Sequence, residues 1–277
     1  MRSLVARAAR PYIAGPDLED ALAVCSRLAA LGRTATLGYW NAQGEDPEDV
    51  ASAYRSGLDA LVEAAPGAYL SVKAPALRFL PGLLRPILAR AAGSGTRVHF
   101  DSLGWADADR TFALLAASAD GASLGCTLPG RWARSERDAE AAVASGWAVR
   151  VIKGQWEDPH HPHRDARAGF LEVVARLRGS AVLVGVATHD AALGREALRR
   201  LREAGTPCEV ELLHGLPMRL MLAVAREAEV PVRVYVPYGA AWLPYALSTL
   251  RREPTRALWL LKDAVVGSFL GRGNGKG

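Results

Sequence analysis

Charged and polar side chains follow the short apolar runs of this chain, where they are placed to bind or transform a small ligand. Lys73 follows Leu-Ser-Val, Asp101 follows Val-His-Phe, and Arg150 and Lys153 flank Val-Ile. Later runs end in further polar residues, which are Thr188, His189, Asp190, His214, Tyr235 and Tyr238. Burying such groups is costly unless they are paired or bind a charged ligand. The surplus of Lys and Arg therefore predicts an anionic ligand, either a diphosphate or a carboxylate.

Eight apolar runs alternate with longer helical patterns, and this order predicts the elements that position those side chains. The predicted strands are 34–39, 68–73, 97–101, 119–125, 147–153, 181–187, 208–214 and 232–236. The predicted helices are 16–32, 47–64, 79–93, 105–117, 135–145, 165–178, 190–204, 217–228 and 242–268. Eight strand–helix units in series are typical of a closed (β/α)8 barrel, whose active sites lie at the strand ends. An open doubly wound sheet is the alternative, but no Gly-x-Gly-x-x-Gly follows the first strand.

Length and composition fit one α/β domain. Of the 277 residues, 50% are hydrophobic and 23% are charged. This composition is globular rather than disordered. No internal linker is evident, so we predict a single domain over residues 1–270. The glycine-rich segment 271–277 is predicted to be a flexible tail.

Charge and cysteine content argue against several function classes. The net charge is +5, but the arginines alternate with acidic residues, as in 195–203, so we predict solvated helix faces and no nucleic-acid partner. Three scattered cysteines suit neither a disulfide framework nor a zinc site, and we predict a cytoplasmic protein. No apolar run reaches the roughly 18 residues of a membrane span, although the basic segment 1–10 leaves peripheral membrane contact open. The histidines of 160–163 favour a surface loop over a metal site, and no metal is predicted.

Six motifs, in order along the chain, resemble those of the proline dehydrogenase family. They are Leu70-Ser-Val-Lys73, Val98-His-Phe-Asp101, Val149-Arg-Val-Ile-Lys-Gly154, Ala187-Thr-His-Asp190, Leu212-Leu-His-Gly215, and Arg233-Val-Tyr-Val-Pro-Tyr-Gly239 with Trp242-Leu-Pro-Tyr245 after it. The resemblance covers nearly the whole chain. It implies a distorted barrel with an extra N-terminal helix and a last helix over the active site. It also implies a non-covalently bound FAD that accepts hydride from a C–N bond.

The resemblance also implies a role for each matching position. Arg150 would approach the flavin N5, Lys153 and Gly154 would hold the diphosphate, and Lys73 and Asp101 would join Arg150 as catalytic residues. The other implied cofactor contacts are Gly125, which stands where the family has a glutamine, and Ile152, Thr188, His189, Asp190 and His214. The implied substrate contacts are Lys73, Asp101, Leu213, Tyr235, Tyr245, Ser248, Thr249 and Trp156, which stands where the family has a tyrosine.

Ser248 and Thr249 mark the main departure from the family. They occupy the positions of an adjacent arginine pair that clamps the proline carboxylate in family members. Arg251 and Arg252 come three residues later. Three residues correspond to a rotation of about 300° and an advance of about 4.5 Å along a helix. Three hypotheses stay open. The substrate lacks a free carboxylate, being another amine, a hydrazine, or an esterified or carrier-bound imino acid. Alternatively, Arg251 and Arg252 replace the pair and the substrate is L-proline, or the barrel binds without catalysis.

The sequence leaves the partners of the reaction only partly defined. A small-molecule amine or imino acid is the expected substrate, with a carrier protein if that substrate is tethered. Quinone, oxygen and a protein all remain open as the electron acceptor.

Overall fold

Eight parallel strands form the frame of the molecule, and the structure, a computed structural model, describes residues 14–118 and 121–239. The strands are β1 Thr34–Tyr39, β2 Tyr69–Val72, β3 Val98–Phe100, β4 Leu124–Pro129, β5 Ala148–Ile152, β6 Val184–Ala187, β7 Cys208–Leu213 and β8 Val232–Tyr238. Each strand pairs with the next in chain order, and β8 pairs with β1 to close the sheet. The predicted (β/α)8 barrel is therefore confirmed.

Helices cover the outside of this barrel in the described part of the chain. They are α1 Leu18–Ala30, α2 Pro47–Ala64, α3 Pro81–Ser94, α4 Ala108–Ala116, α5 Ser135–Ala144, α6 Ala166–Leu177, α7 Ala191–Glu203 and α8 Arg219–Glu227. Short polar residues begin three of them: Asp46, Asp165 and Asp190 each accept a backbone N–H of the first turn. None of the described helices is long and apolar enough to cross a membrane.

The first helix, α1, lies over the seam where the barrel closes. It packs against β8, β1 and α2, and it buries Ala21, Val24, Cys25 and Leu28. In a regular barrel this outer position belongs to the helix that follows the eighth strand. The predicted extra N-terminal helix is thus found, and it occupies that position. The predicted last helix at 242–268 and tail at 271–277 lie outside the described residues.

The predicted fourth strand is the one that the structure corrects. The prediction placed it at 119–125, whereas β4 is Leu124–Pro129. Ala, Ser and Gly before Leu124 resemble a weak apolar run, and Gly, Thr and Pro within the true strand weaken its own pattern. This error of several residues matters, because the register of β4 decides which of its side chains reaches the top of the barrel.

The barrel separates an apolar outer layer from a polar interior. Val149 and Val151 belong to the main hydrophobic core, whereas Arg150 between them is 5% exposed and bonds to residues of other strands. Alternate residues of a strand point to opposite faces, which explains this separation. The interior therefore concentrates charge where water is excluded, a setting that strengthens electrostatic interactions.

Candidate active site

A cavity of about 510 Å³ opens at the carboxyl ends of the strands. This volume lies within the range of about 300–1,000 Å³ that small-molecule sites occupy. The lining residues come from most strands and the loops after them; they are Trp40, Asn41, Lys73, Asp101, Ser102, Leu103, Thr127, Pro129, Trp132, Arg150, Ile152, Gln155, Trp156, Ala187, His189, Glu211, Leu212, Leu213 and Tyr235.

Arg150 lies on the floor of the cavity between two carboxylates. Its Nε and Nη2 each donate to Glu211, at 2.7 Å from Oε2 and Oε1 respectively. Its Nη1 donates to Asp101 Oδ1 at 2.7 Å and to Thr127 Oγ1 at 3.3 Å. Thr36 donates a further hydrogen bond to Glu211 Oε1 at 3.0 Å. Three donors of one guanidinium are thus fixed in direction by charged partners.

The same neighbours decide the charge of this group. Burial alone would lower the pKa of Arg150, but Glu211 and Asp101 outweigh burial, and the pKa is raised above its ordinary value. Burial and the positive charge of Arg150 hold the pKa of His99 well below its ordinary value. His99 Nε2 lies 3.1 Å from Thr127 Oγ1, which connects this neutral ring to the Arg150 cluster.

Asp101 is the meeting point of four strands. It accepts hydrogen bonds from Ser71 Oγ at 2.6 Å and from the Tyr235 hydroxyl at 2.8 Å, besides that from Arg150. The Tyr235 oxygen in turn accepts from Trp40 Nε1 at 3.3 Å. Burial and the negative charge of Asp101 raise the pKa of Tyr235 well above its ordinary value, so its hydroxyl keeps its proton.

Lys73 reaches the same side of the cavity from the end of β2. Its Nζ donates to the Tyr39 carbonyl at 2.6 Å and lies 4.0 Å from Asp101 Oδ2. Burial lowers the pKa of Lys73 to about 8, against the raising influence of Asp101. An ammonium group that loses its proton near neutral pH is suited to proton transfer as well as to binding.

A glycine makes room for this network inside the barrel. A Cβ at Gly38 on β1 would lie 2.1 Å from the Tyr235 hydroxyl, so this side chain can cross β1 only over a glycine. On β6 a Cβ at Gly185 would lie 3.4 Å from Glu211 Oε2, which is an ordinary contact. The pair Arg150–Glu211 therefore joins β5 to β7 across β6 without requiring a glycine there.

Trp40, Trp132 and Trp156 lie at the mouth of the cavity, beside the loop that contains Asp158. Trp132 Nε1 donates to the Trp156 carbonyl at 3.0 Å, which ties the loop after β4 to the loop after β5. Asp158, 2% exposed, accepts from the Ala133 and His160 backbone N–H groups, at 2.9 Å each. Burial would raise the pKa of Asp158, but these N–H donors outweigh it and lower the pKa.

Comparison with known proteins shows which proteins the barrel resembles. No family model matches the chain. Proline dehydrogenase 1 of Bacillus subtilis subsp. natto is 24% identical over 277 residues, which covers 92% of this chain and 89% of that protein. The structure of proline utilization A (PutA) from Bdellovibrio bacteriovorus, inactivated by N-propargylglycine, has a TM-score of 0.74 at 17% identity, and PutA from Corynebacterium freiburgense has 0.71 at 19%. This chain is similar to the proline dehydrogenases over nearly its whole length.

The match to PutA concerns one part of a larger protein. The region aligned with the Bdellovibrio protein covers 86% of this chain but 32% of that one. For the Corynebacterium protein the shares are 90% and 31%. At these identities the structural likeness is evidence of the fold. The curated relative, by contrast, matches the proline dehydrogenase-like barrel over nearly its full length.

Most residues predicted for catalysis and substrate binding meet in this barrel, together with the predicted cofactor contacts Ile152 and His189. The cavity brings together Lys73, Asp101, Arg150, Ile152, Trp156, His189, Leu213 and Tyr235. His189 Nδ1 lies 2.9 Å from the Pro217 carbonyl, to which it donates, because its Nε2 accepts from the Leu213 N–H at 3.0 Å. Its ring is thus fixed in one tautomer where it lines the cavity.

Other predicted cofactor contacts lie behind the lining. Thr188 Oγ1 accepts from the Asp190 N–H, and Asp190 caps α7 and pairs with Arg167. The backbone N–H of His214 donates to the Tyr235 carbonyl, and burial, with the positive charge of Arg27, lowers the pKa of the His214 side chain to about 4. The hydrogen bonds of these three residues hold the ends of β6, β7 and β8 in place.

Lys153 and Gly154 turn the chain out of β5 at the cavity mouth. The Lys153 carbonyl accepts from the Arg131 N–H at 2.9 Å. Gly154 has φ +93°, and a Cβ there would lie 2.8 Å from Pro129 Cβ. A side chain is excluded at this turn, which leaves the backbone open to a ligand.

The prediction that Gly125 ends the fourth strand is wrong. Gly125 is the second residue of β4, and a Cβ there would lie 2.4 Å from His99 Nδ1. The β4 side chain that reaches the cavity floor is Thr127. The error follows from the misplaced strand.

The structure also corrects the predicted surplus of positive charge at the site. The prediction considered only residues at strand ends and therefore missed Glu211. This residue lies within β7. A signal was available: Glu209 and Glu211 interrupt an apolar strand with the period of two that places both on one face. In the described part of the chain, the cations Arg150 and Lys73 face the carboxylates Asp101 and Glu211.

The remaining predicted site residues lie outside the described part of the chain; they are Tyr245, Ser248, Thr249, Arg251 and Arg252. Among described residues, no group of three or more His, Cys, Asp or Glu could hold a metal ion. Of the histidines at 160–163, His160 packs edge-on against Trp105, and His161 lies 3.4 Å from Asp158.

Proposed function

We propose that this protein is an FAD-dependent oxidoreductase that oxidises a C–N or N–N bond of an amine lacking a free carboxylate. When bound, the flavin supplies the hydride acceptor. The observation that carries the proposal is Arg150, fixed by two carboxylates at the floor of a barrel-top cavity in a relative of the proline dehydrogenases.

The residues around the cavity fit this cofactor. Thr127, Ile152, Gln155, Ala187 and His189 line the side formed by β4, β5 and β6 and would hold the flavin ring. The half-buried turn at Lys153 and Gly154 would hold the diphosphate, through a cation and through backbone that no Cβ covers. Gly125, Thr188, Asp190 and His214 would support this wall from behind.

The other side of the cavity would hold the amine. Asp101, Tyr235 and Trp40 form a hydrogen-bonded chain there, and Lys73 lies beside it. An amine must lose its proton before hydride leaves the adjacent carbon, and Lys73 has a pKa near 8. We assign that proton transfer to Lys73, and the orientation of the amine to Asp101 and Tyr235. Trp156, Leu213 and Tyr245 would pack against the substrate.

Charge balance supports a substrate without a free carboxylate. The two floor cations, Arg150 and Lys73, face two carboxylates, so the described cavity offers an anion little net attraction. Ser248 and Thr249 stand where the family has its carboxylate clamp. One charge-assisted hydrogen bond contributes about 1.5–3 kcal/mol, so the loss of two arginines weakens carboxylate binding by orders of magnitude.

L-Proline itself is the second candidate substrate. The curated relative is named a proline dehydrogenase and matches nearly the full chain. In this case Arg251 and Arg252 would take over the clamp and the product would be 1-pyrroline-5-carboxylate.

An anaerobic absorbance titration of the purified protein tests these proposals. Oxidised flavin absorbance identifies the cofactor, and its bleaching identifies a reducing substrate. We expect bleaching by prolinamide, proline esters or other cyclic secondary amines at concentrations where L-proline has little effect. Rapid bleaching by millimolar L-proline would overturn the substrate proposal, and a protein that cannot take up FAD would overturn the function. Addition of quinone, oxygen or a protein acceptor to the reduced form then identifies the oxidant.

A further inference from the structure

We propose that Glu211 is a positioning residue that fixes the guanidinium of Arg150 and offsets its charge, and thereby lowers the reduction potential of the bound flavin. This inference rests on the proposed function, because it concerns the environment of that cofactor.

The geometry of the pair is that of a rigid fork. Two parallel hydrogen bonds of 2.7 Å join Arg150 to both oxygens of Glu211, and Thr36 donates a third bond to the carboxylate from β1. The two side chains are 6% and 4% exposed, and both line the cavity floor. The guanidinium therefore has one orientation, and the negative charge of Glu211 borders the cavity together with the positive charge that it accompanies.

The charge of Glu211 has a consequence for a redox cofactor. Reduction of a flavin adds negative charge to its ring, and a fixed cation nearby favours that form. The buried carboxylate of Glu211 lies 2.7 Å from the Arg150 guanidinium. It cancels part of the cation's effect, because interactions in the interior are weakly screened. Removal of the negative charge, with the shape kept, should therefore favour the reduced flavin.

Glu209, two residues before Glu211, serves as a matched control for a purely structural role of Glu211. Glu209 lies on the same strand and pairs with Arg233 at 2.7 Å, with side chains 6% and 5% exposed. Arg233 also donates to the carbonyls of Ala35 and Gly67, and the pair lies outside the cavity lining. The two pairs resemble each other in burial and in their shortest N–O distance, although Arg233 makes one hydrogen bond to Glu209 and Arg150 makes two to Glu211. The difference that the experiment uses is that only the second pair lines the cavity.

The experiment compares holoenzyme variants by flavin potential and by sulfite affinity, which rises with positive charge around the flavin. Glu211→Gln should bind sulfite about tenfold more tightly than wild type. The flavin potential should rise by about 30 mV, which is a tenfold change in the equilibrium constant of the two-electron reduction. Glu209→Gln should leave both quantities unchanged, although it should lose thermal stability as Glu211→Gln does.

Two further variants separate charge from shape. Glu211→Asp keeps the charge but shortens the reach, so its potential should stay near the wild-type value while flavin reduction by substrate slows. Thr36→Val leaves Glu211 charged and removes one donor from it, so sulfite binding should weaken by about twofold, the opposite direction to Glu211→Gln.

The outcomes separate this inference from the proposed function. Equal shifts of potential and sulfite affinity in Glu211→Gln and Glu209→Gln would overturn the role of Glu211 but not the proposed function. The absence of any shift in a flavin-loaded Glu211→Gln would do the same. A wild-type protein that takes up no FAD overturns both. If Glu211→Gln does not fold, a Thr36→Val shift toward tighter sulfite binding, or no shift at all, overturns the inference.

Discussion

At the scale of single residues, the site depends on side chains whose protons and charges are fixed by their neighbours. Tyr235 tests this most directly, because its hydroxyl donates to Asp101 and accepts from Trp40. Tyr235→Phe leaves the packing in place but removes one hydrogen bond from the partly buried carboxylate of Asp101. Such a bond contributes about 1.5–3 kcal/mol, so kcat/KM for the best amine should fall by about 10- to 100-fold.

The same strand supplies the control for this prediction. Tyr238 is 4% exposed, and its hydroxyl donates to the Ala53 carbonyl on α2, away from the cavity. Tyr238→Phe should lower the free energy of unfolding by about 1 kcal/mol and leave kcat/KM unchanged. Equal losses of kcat/KM in the two variants would show that Tyr235 acts through stability only.

Lys73 gives a pH dependence with a defined sign. Burial lowers its pKa to about 8, so the side chain is cationic below that pH and neutral above it. Because the neutral form accepts the proton of the amine, kcat/KM for a strongly basic amine should rise by about tenfold per pH unit below 8 and level off above it. In Lys73→Met kcat/KM should be low and should not change with pH near 8. A pH dependence that persists in this variant would assign it to another group.

At the scale of elements, the interior of the barrel depends on glycines that give large side chains room to cross a strand. Gly38→Ala would place a Cβ 2.1 Å from the Tyr235 hydroxyl. Because β1 cannot move without breaking its pairing with β8, Tyr235 must leave Asp101. We expect kcat/KM to fall at least as far as in Tyr235→Phe, with an added loss of stability of about 1–3 kcal/mol for overpacking.

The control for Gly38 lies on α3. A Cβ at Gly93 meets nothing within 4 Å. Gly93→Ala should therefore raise the free energy of unfolding by about 0.5–1 kcal/mol and leave activity unchanged. Urea unfolding and steady-state kinetics measure both effects. Unchanged activity in Gly38→Ala would mean that Tyr235 does not need its position over β1.

The elements were largely predictable from the sequence, whereas their register was not. Local patterns placed β1 and α2 correctly, because hydrophobic period and helix capping depend on neighbours in the chain. The pairing of Arg150 with Glu211 joins β5 to β7 across β6, and it depends on the stagger of a closed barrel, which no local pattern contains. For the same reason, the positions of the strand ends in the sequence predicted Lys73, Asp101 and Arg150 as site residues but not Glu211.

At the scale of the whole molecule, the closure of the barrel depends on its first helix. α1 covers β8 and β1 with four buried side chains, two of them Val24 and Leu28. Burying one large aliphatic side chain contributes about 1.5–3 kcal/mol, and a domain is stable by only about 5–15 kcal/mol in total. Deletion of residues 1–30 should therefore yield a protein without a cooperative thermal transition by circular dichroism. Deletion of 271–277, which we propose to be a tail outside the single domain, should leave Tm unchanged. A cooperative transition at the wild-type Tm in the first deletion would contradict this prediction. It would mean that another segment covers the seam and that the barrel does not need α1 for its stability.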